Sequence, residues 1–162
     1  MRAVLAPLAL LTLSACSLSP MYAGGGSGEV ARGLAAVEVA PIEGRAGWLM
    51  RNALADRLGA AGAESPRYRL DVRLDDELEA LGILADDTVS RERRTLRARY
   101  QLVDIASGEI LLDATDGSDA GIDVVSSEYA TIAAEQAALE NLSQVLADEI
   151  VTRLSLTLRR AQ

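Results

Sequence analysis

The stretch Tyr68-Arg69-Leu70-Asp71-Val72-Arg73-Leu74-Asp75 decides the fold. Apolar and charged residues alternate in it without a break. Successive side chains of an extended strand point to opposite faces, so Tyr68, Leu70, Val72 and Leu74 share one face and the charged residues share the other. A helix would scatter the same four apolar groups around its circumference. The pattern runs less cleanly to Leu84, and Ala85-Asp86-Asp87 reads as a turn. A second long strand is expected from Val89 to Ile105, with Leu96, Ala98, Tyr100 and Leu102 toward the core. Ala106-Ser107-Gly108 turns the chain again, and Glu109 to Thr115 reads as a third strand. The three form an antiparallel meander with one wet face. Asp113 to Ser127, which contains Gly117 and Gly121, reads as a polar loop.

Upstream, Leu34 to Ile42 holds the alternation Val37, Val39 and, past Pro41, Ile42, the mark of a short strand. From Gly44 to Leu58 the residues Ala46, Met50, Ala53, Leu54, Arg57 and Leu58 recur at helical spacing, and Gly59 and Gly62 end the helix. Trp48 and Leu49 widen its apolar side, Trp48 as a packing residue at the core or its edge, or as a partner contact. Downstream, Ser127 caps a helix of about 30 residues, roughly 45 Å long. Its stripe of Ile132, Leu139, Leu142, Leu146, Ile150, Leu154 and Leu158 fits a core-facing helix or a coiled-coil seam. The predicted fold is α+β: two helices packed on one face of a four-stranded, largely antiparallel sheet, in the order β-α-β-β-β-α.

Residues 1–15, MRAVLAPLALLTLSA, have a positive start at Arg2 and an apolar run from Val4 to Leu13. About ten helical residues reach roughly 15 Å, half a bilayer core, so the run reads as a signal peptide. Leu13-Ser14-Ala15-Cys16 has the form of a lipobox, with two small residues for the peptidase and a thiol to accept diacylglyceryl. Cys16 is the only cysteine, so the expected mature protein carries covalent lipid there and no disulfide. Two or three acyl chains hold a protein firmly to a membrane. Ser17, being other than Asp, permits outer-membrane delivery under the sorting rule of enteric bacteria. Residues 16–33 then form an acylated start and a spacer containing Gly24-Gly25-Gly26-Ser27-Gly28, and residues 34–160 a single domain.

The chemistry available is narrow. Sixteen basic residues, all Arg, face 24 acidic ones for a net charge of −8, and the chain has no His. This disfavours nucleic-acid binding. It also leaves no imidazole or lysine for catalysis and no zinc ligand set, so neither catalytic nor metal residues are assigned and no cofactor beyond the Cys16 lipid is expected. Asp75-Asp76-Glu77 and Asp86-Asp87 read as solvated edges and turns. Asp113, Asp116, Asp119 and Asp123 lack the spacing of the twelve-residue calcium loop. The group that stands out is basic. Arg91, Arg93, Arg97 and Arg99 share one parity on the second long strand, and Arg69 and Arg73 lie on the matching face of the first. These six side chains form either an anion-binding surface, since the guanidinium fork grips phosphate at two points, or a salt-laced face neutralised by Asp71, Asp75, Glu77 and Glu79.

Several short motifs together resemble a known family. Cys16-Ser17-Leu18-Ser19-Pro20-Met21-Tyr22 is similar to its opening Cys-Gly-Phe-x-Pro-Leu-Tyr, departing at Ser17, Leu18 and Met21. Val37-Glu38-Val39-Ala40-Pro41-Ile42, then Arg45 and Arg51-Asn52-x-Leu54-x-x-Arg57-Leu58, resemble its next block, and Tyr68-Arg69-Leu70 and Glu128-Tyr129-Ala130 also fit. The family is that of the lipopolysaccharide-assembly lipoprotein LptE, in its alphaproteobacterial form. The resemblance implies a non-enzymatic, lipid-anchored outer-membrane protein, on the periplasmic side or within the lumen of the lipopolysaccharide-inserting β-barrel. There it would act as plug and assembly partner and bind lipopolysaccharide, whose phosphates the arginine face would meet. An auxiliary lipoprotein of an ABC-type phospholipid transport system and a tethered periplasmic hydrolase are the competing readings.

Overall fold

The computed structural model describes residues 28–59, 65–83 and 89–160. The signal peptide, the lipobox with Cys16, and the Gly24–Ser27 part of the spacer lie outside these residues. Seven elements follow in order: α1 (Glu29–Ala35), β1 (Val37–Val39), α2 (Gly44–Leu58), β2 (Tyr68–Ile83), β3 (Val89–Asp104), β4 (Ile110–Asp123) and α3 (Glu128–Arg160). The strands form one sheet in the order β1-β2-β3-β4, with β1 parallel to β2 and the other pairs antiparallel. The expected α+β class and the β-α-β-β-β-α order are present, preceded by α1.

One face of the sheet carries the core. Leu70 on β2 and Leu96, Ala98, Tyr100 and Leu102 on β3 are fully buried beneath Met50 and Leu54 of α2 and Leu146, Ile150 and Leu154 of α3. Each such aliphatic side chain contributes about 1.5–3 kcal/mol through burial, which outweighs the weak local preferences of the segments. Gly59, with φ of 67°, ends α2 in the left-handed conformation that glycine adopts without a Cβ penalty. Ser127 Oγ accepts the Ala130 amide at 3.4 Å and opens α3.

Three local readings are corrected. The strand expected over Leu34–Ile42 spans only Val37–Val39; Leu34 belongs to the last turn of α1 instead, buried where α1 meets α3, and Pro41, having no N–H, cannot continue a ladder. Residues 113–123 are not a loop. They continue β4, paired with β3 as far as Asp123↔Arg91. Trp48 is not in the core; it is 64% exposed on the outer side of α2.

Candidate functional site

The register of the three long strands fixes what the outward face presents. Arg69, Asp71, Arg73, Asp75, Glu77 and Glu79 of β2 lie beside Val103, Gln101, Arg99, Arg97, Thr95 and Arg93 of β3. Beyond them, β4 places Asp113 opposite Gln101, Asp119 opposite Thr95 and Asp123 opposite Arg91, and β1 adds Glu38 beside Arg69. All six arginines singled out in the sequence therefore share one exposed sheet face. Among the described residues they share it with eight carboxylates, two more than the arginines.

Four of the six are engaged. Arg69 holds Asp71 two residues along its own strand at 3.0 Å, and Arg91 holds Asp123 at 3.0 Å. Arg93 stands 3.8 Å from Asp119, and Arg99 reaches Asp113 at 3.1 Å. Gln101 also donates to Asp113 at 2.8 Å. Arg99 and then Gln101 lower the Asp113 carboxyl below its ordinary range, and Asp113 in turn raises the Arg99 guanidinium. Three of these partners sit on β4, the strand whose second half looks like a loop in the sequence. The neutralising carboxylates are thus largely on the opposite neighbour from the one parity suggested.

Arg73 and Arg97 differ. Among the described residues neither has a carboxylate within 4.0 Å. Arg73 lies across from Arg99. Arg97 lies between Asp75 and Gly117, and its stem passes over Gly117, where an added Cβ would come within 3.1 Å of Arg97 Cγ. The glycine thus leaves room for the side chain to lie across β4. Where β1 stops and residues 40–43 cross toward α2, a groove of about 660 Å³ opens on this side, lined by Pro41, Ile42, Asp71, Arg73, Arg99 and Gln101.

The four aspartates weighed as calcium ligands do not converge. Asp113 and Asp123 stand ten residues apart on one extended strand, roughly 33 Å. Asp116, on the inward side, accepts from Tyr100 Oη and Arg153. Among the described residues no group of three or more His, Cys, Asp or Glu is placed to hold a metal ion, and no helix is long and apolar enough to cross a membrane.

No curated protein sequence matches the chain. A candidate lipoprotein of known structure from Caulobacter crescentus superposes with a TM-score of 0.69 at 26% identity, covering 80% of this chain and 96% of that one. The rare lipoprotein B from Shewanella oneidensis has a TM-score of 0.57 at 12% identity, covering 77% of this chain and 96% of its own. A minor lipoprotein from Acinetobacter baumannii gives 0.60 at 16%, covering 74% and 90%. The last two share the fold. The model of the lipopolysaccharide-assembly family LptE matches residues 34–154, from the end of α1 to the last turns of α3. The chain belongs to the LptE family, and its role lies in lipopolysaccharide assembly.

Proposed function

We propose that the chain is an outer-membrane lipoprotein, anchored through lipid on Cys16, that plugs the lipopolysaccharide-translocating β-barrel, assists its assembly and contributes to lipopolysaccharide insertion. The family match over 34–154 carries this reading. Within it, Arg73 and Arg97 are the side chains of the outward face free to take lipopolysaccharide phosphates, while Arg69, Arg91, Arg93 and Arg99 first have to exchange a carboxylate partner. The groove lined by Arg73 and Arg99, together with Asp71 and Glu43, is a recess that such an anion would enter beside the unpaired Arg73.

The anchor and partner are tested together. The intact protein is affinity-captured from detergent-solubilised envelopes, and its N-terminus is read by mass spectrometry. Acylated Cys16 and a co-purifying outer-membrane barrel are expected; an inner-membrane transporter in its place supports the phospholipid-transport alternative. The site is tested by Arg73→Ala with Arg97→Ala. Each charge-assisted contact contributes about 1.5–3 kcal/mol, so the pair should weaken lipopolysaccharide binding tenfold or more, while Arg91→Ala, whose partner is Asp123, should change it little. Equal loss in both variants would show a diffuse charge effect and not a site.

A further inference from the structure

Trp48 projects at the centre of the solvent-facing side of α2, 64% exposed, in a chain with one tryptophan. Arg45 stands one turn before it and Arg51 one turn after, both exposed, and residues three apart on a helix are neighbours on its surface. Asn52 completes the patch at the next position. Among the described residues neither arginine has a carboxylate within 4.0 Å. Asp56, on the same helix, lies eight residues beyond Trp48, about 12 Å along the axis. These residues do not serve the helix. A cation in the first turn opposes the helix dipole, and α2 has Arg45 there and no acidic residue. Nor do they serve the core, which α2 reaches through its other side with Met50, Ala53, Leu54 and Leu58.

We infer that the Arg45–Trp48–Arg51 face of α2 is a docking surface for a carboxylate-bearing protein wall. An exposed tryptophan flanked by unpaired arginines on a rigid helix has the composition of an interface anchor, since Trp and Arg dominate binding energy at protein contacts. Charge selects the occupant. Two free cations on a protein of net charge −8 attract a local cluster of carboxylates, whereas the whole molecule is repelled by an extended anionic lipid surface. Membrane-surface helices bury a broad apolar face in lipid, and that face of α2 is already spent on the core. This inference rests on the function proposed above, under which the wall belongs to the lumen of the barrel.

The test uses the full-length lipidated protein in its own envelope. A photoreactive benzoylphenylalanine is placed at position 48 and, in a separate variant, at Glu140, exposed on α3. Irradiation should cross-link position 48 to the barrel, identified by mass spectrometry. Arg45→Glu with Arg51→Glu should lower the co-purified barrel at least tenfold with an unchanged melting temperature, and Arg45→Lys with Arg51→Lys should retain most of it. Cross-linking from position 140 but not 48, with the charge-reversed variant still capturing the barrel, overturns the docking face and leaves the proposed function standing. Capture of no barrel by the wild type overturns both. Flotation of the anchor-free Cys16→Ala protein with phosphatidylglycerol vesicles, lost when Arg45→Glu and Arg51→Glu are added, and without a cross-link from position 48 in the lipidated protein, assigns the face to lipid and overturns the inference.

Discussion

Tyr100 of β3 donates its hydroxyl to Oδ2 of Asp116 on β4 at 2.5 Å, and Arg153 of α3 takes the other oxygen of the same carboxylate at 2.7 Å. The ring is fully buried, while Asp116 and Arg153 lead outward to solvent. One carboxylate therefore joins two strands and a helix at the point where the core ends. Tyr100→Phe should cost about 1.5 kcal/mol, because Asp116 keeps Arg153. Asp116→Ala should cost more, about 2–3 kcal/mol, because it leaves the buried Tyr100 hydroxyl without a partner, while Arg153, half exposed, turns to solvent. Urea denaturation of the two variants checks both the direction and the order.

The same contact sets an alkaline limit. Burial first, and the Asp116 hydrogen bond second, push the Tyr100 phenol well above its ordinary value near 10. A pKa raised on folding stabilises the protein fully below the unfolded value and ceases to do so as the pH climbs through the folded one. At the acid end the shifts run the other way. Asp148 is lowered by Arg57, Asp113 by Arg99 and Asp104 by the Ser107 amide. Their stabilisation is present above the usual carboxylate value near 3.9 and is lost as the pH falls below it. Urea midpoints should therefore be level from about pH 5 to 9 and drop on both sides. The acid drop should be shallower in Asp148→Asn, and the alkaline drop shallower in Tyr100→Phe.

Gly47 should be irreplaceable where Gly121 is not. A Cβ on Gly47 would sit 2.5 Å from the Ile42 carbonyl oxygen, so the segment leading into α2 would have to move. A Cβ on Gly121 would meet nothing within 4 Å. Gly47→Ala should cost about 1–3 kcal/mol, the usual range for overpacking. Gly121→Ala should stay within about 0.5 kcal/mol of wild type, as surface changes do. Thermal melts of the two single variants, side by side, decide it.

How much of this was written in the sequence depended on where hydrophobicity alternates. Tyr68 to Asp75 and Leu96 to Leu102 carry large apolar groups at period two, and both strands and their facing were legible. The stripe from Leu139 to Leu158 was equally plain. The second half of β4 was not. From Ala114 to Ala120 its inward residues are Ala114, Asp116, Ser118 and Ala120, small or polar where α3 passes over them, and Ile122 alone is large and apolar, one residue too few to show a period of two. Its outward residues are Asp, Thr and Gly, a composition shared with loops. That miss propagated to the site. With β4 ending at Thr115, Asp119 and Asp123 had no position beside Arg93 and Arg91, and the arginine face looked more basic than it is. The helix α1 was hidden for a different reason: seven residues are too few for a helical period, and it is held by packing of Leu34 and Gly33 against α3.

The short strand β1 has a mechanical consequence. It runs parallel to β2 with the three pairs Val37↔Tyr68, Glu38↔Arg69 and Val39↔Leu70, and the chain that precedes it leaves from its first residue through α1. A pull entering at Gly28 along the strand axis therefore slides β1 past β2 and strains their backbone bonds together, where a pull across the sheet would open them one at a time. β2 is itself held to β3 from Tyr68↔Asp104 to Ile83↔Val89, so the load passes into the widest part of the sheet. Three residues of strand, set in shear, share a load entering from the N-terminal side that would otherwise break their bonds in turn.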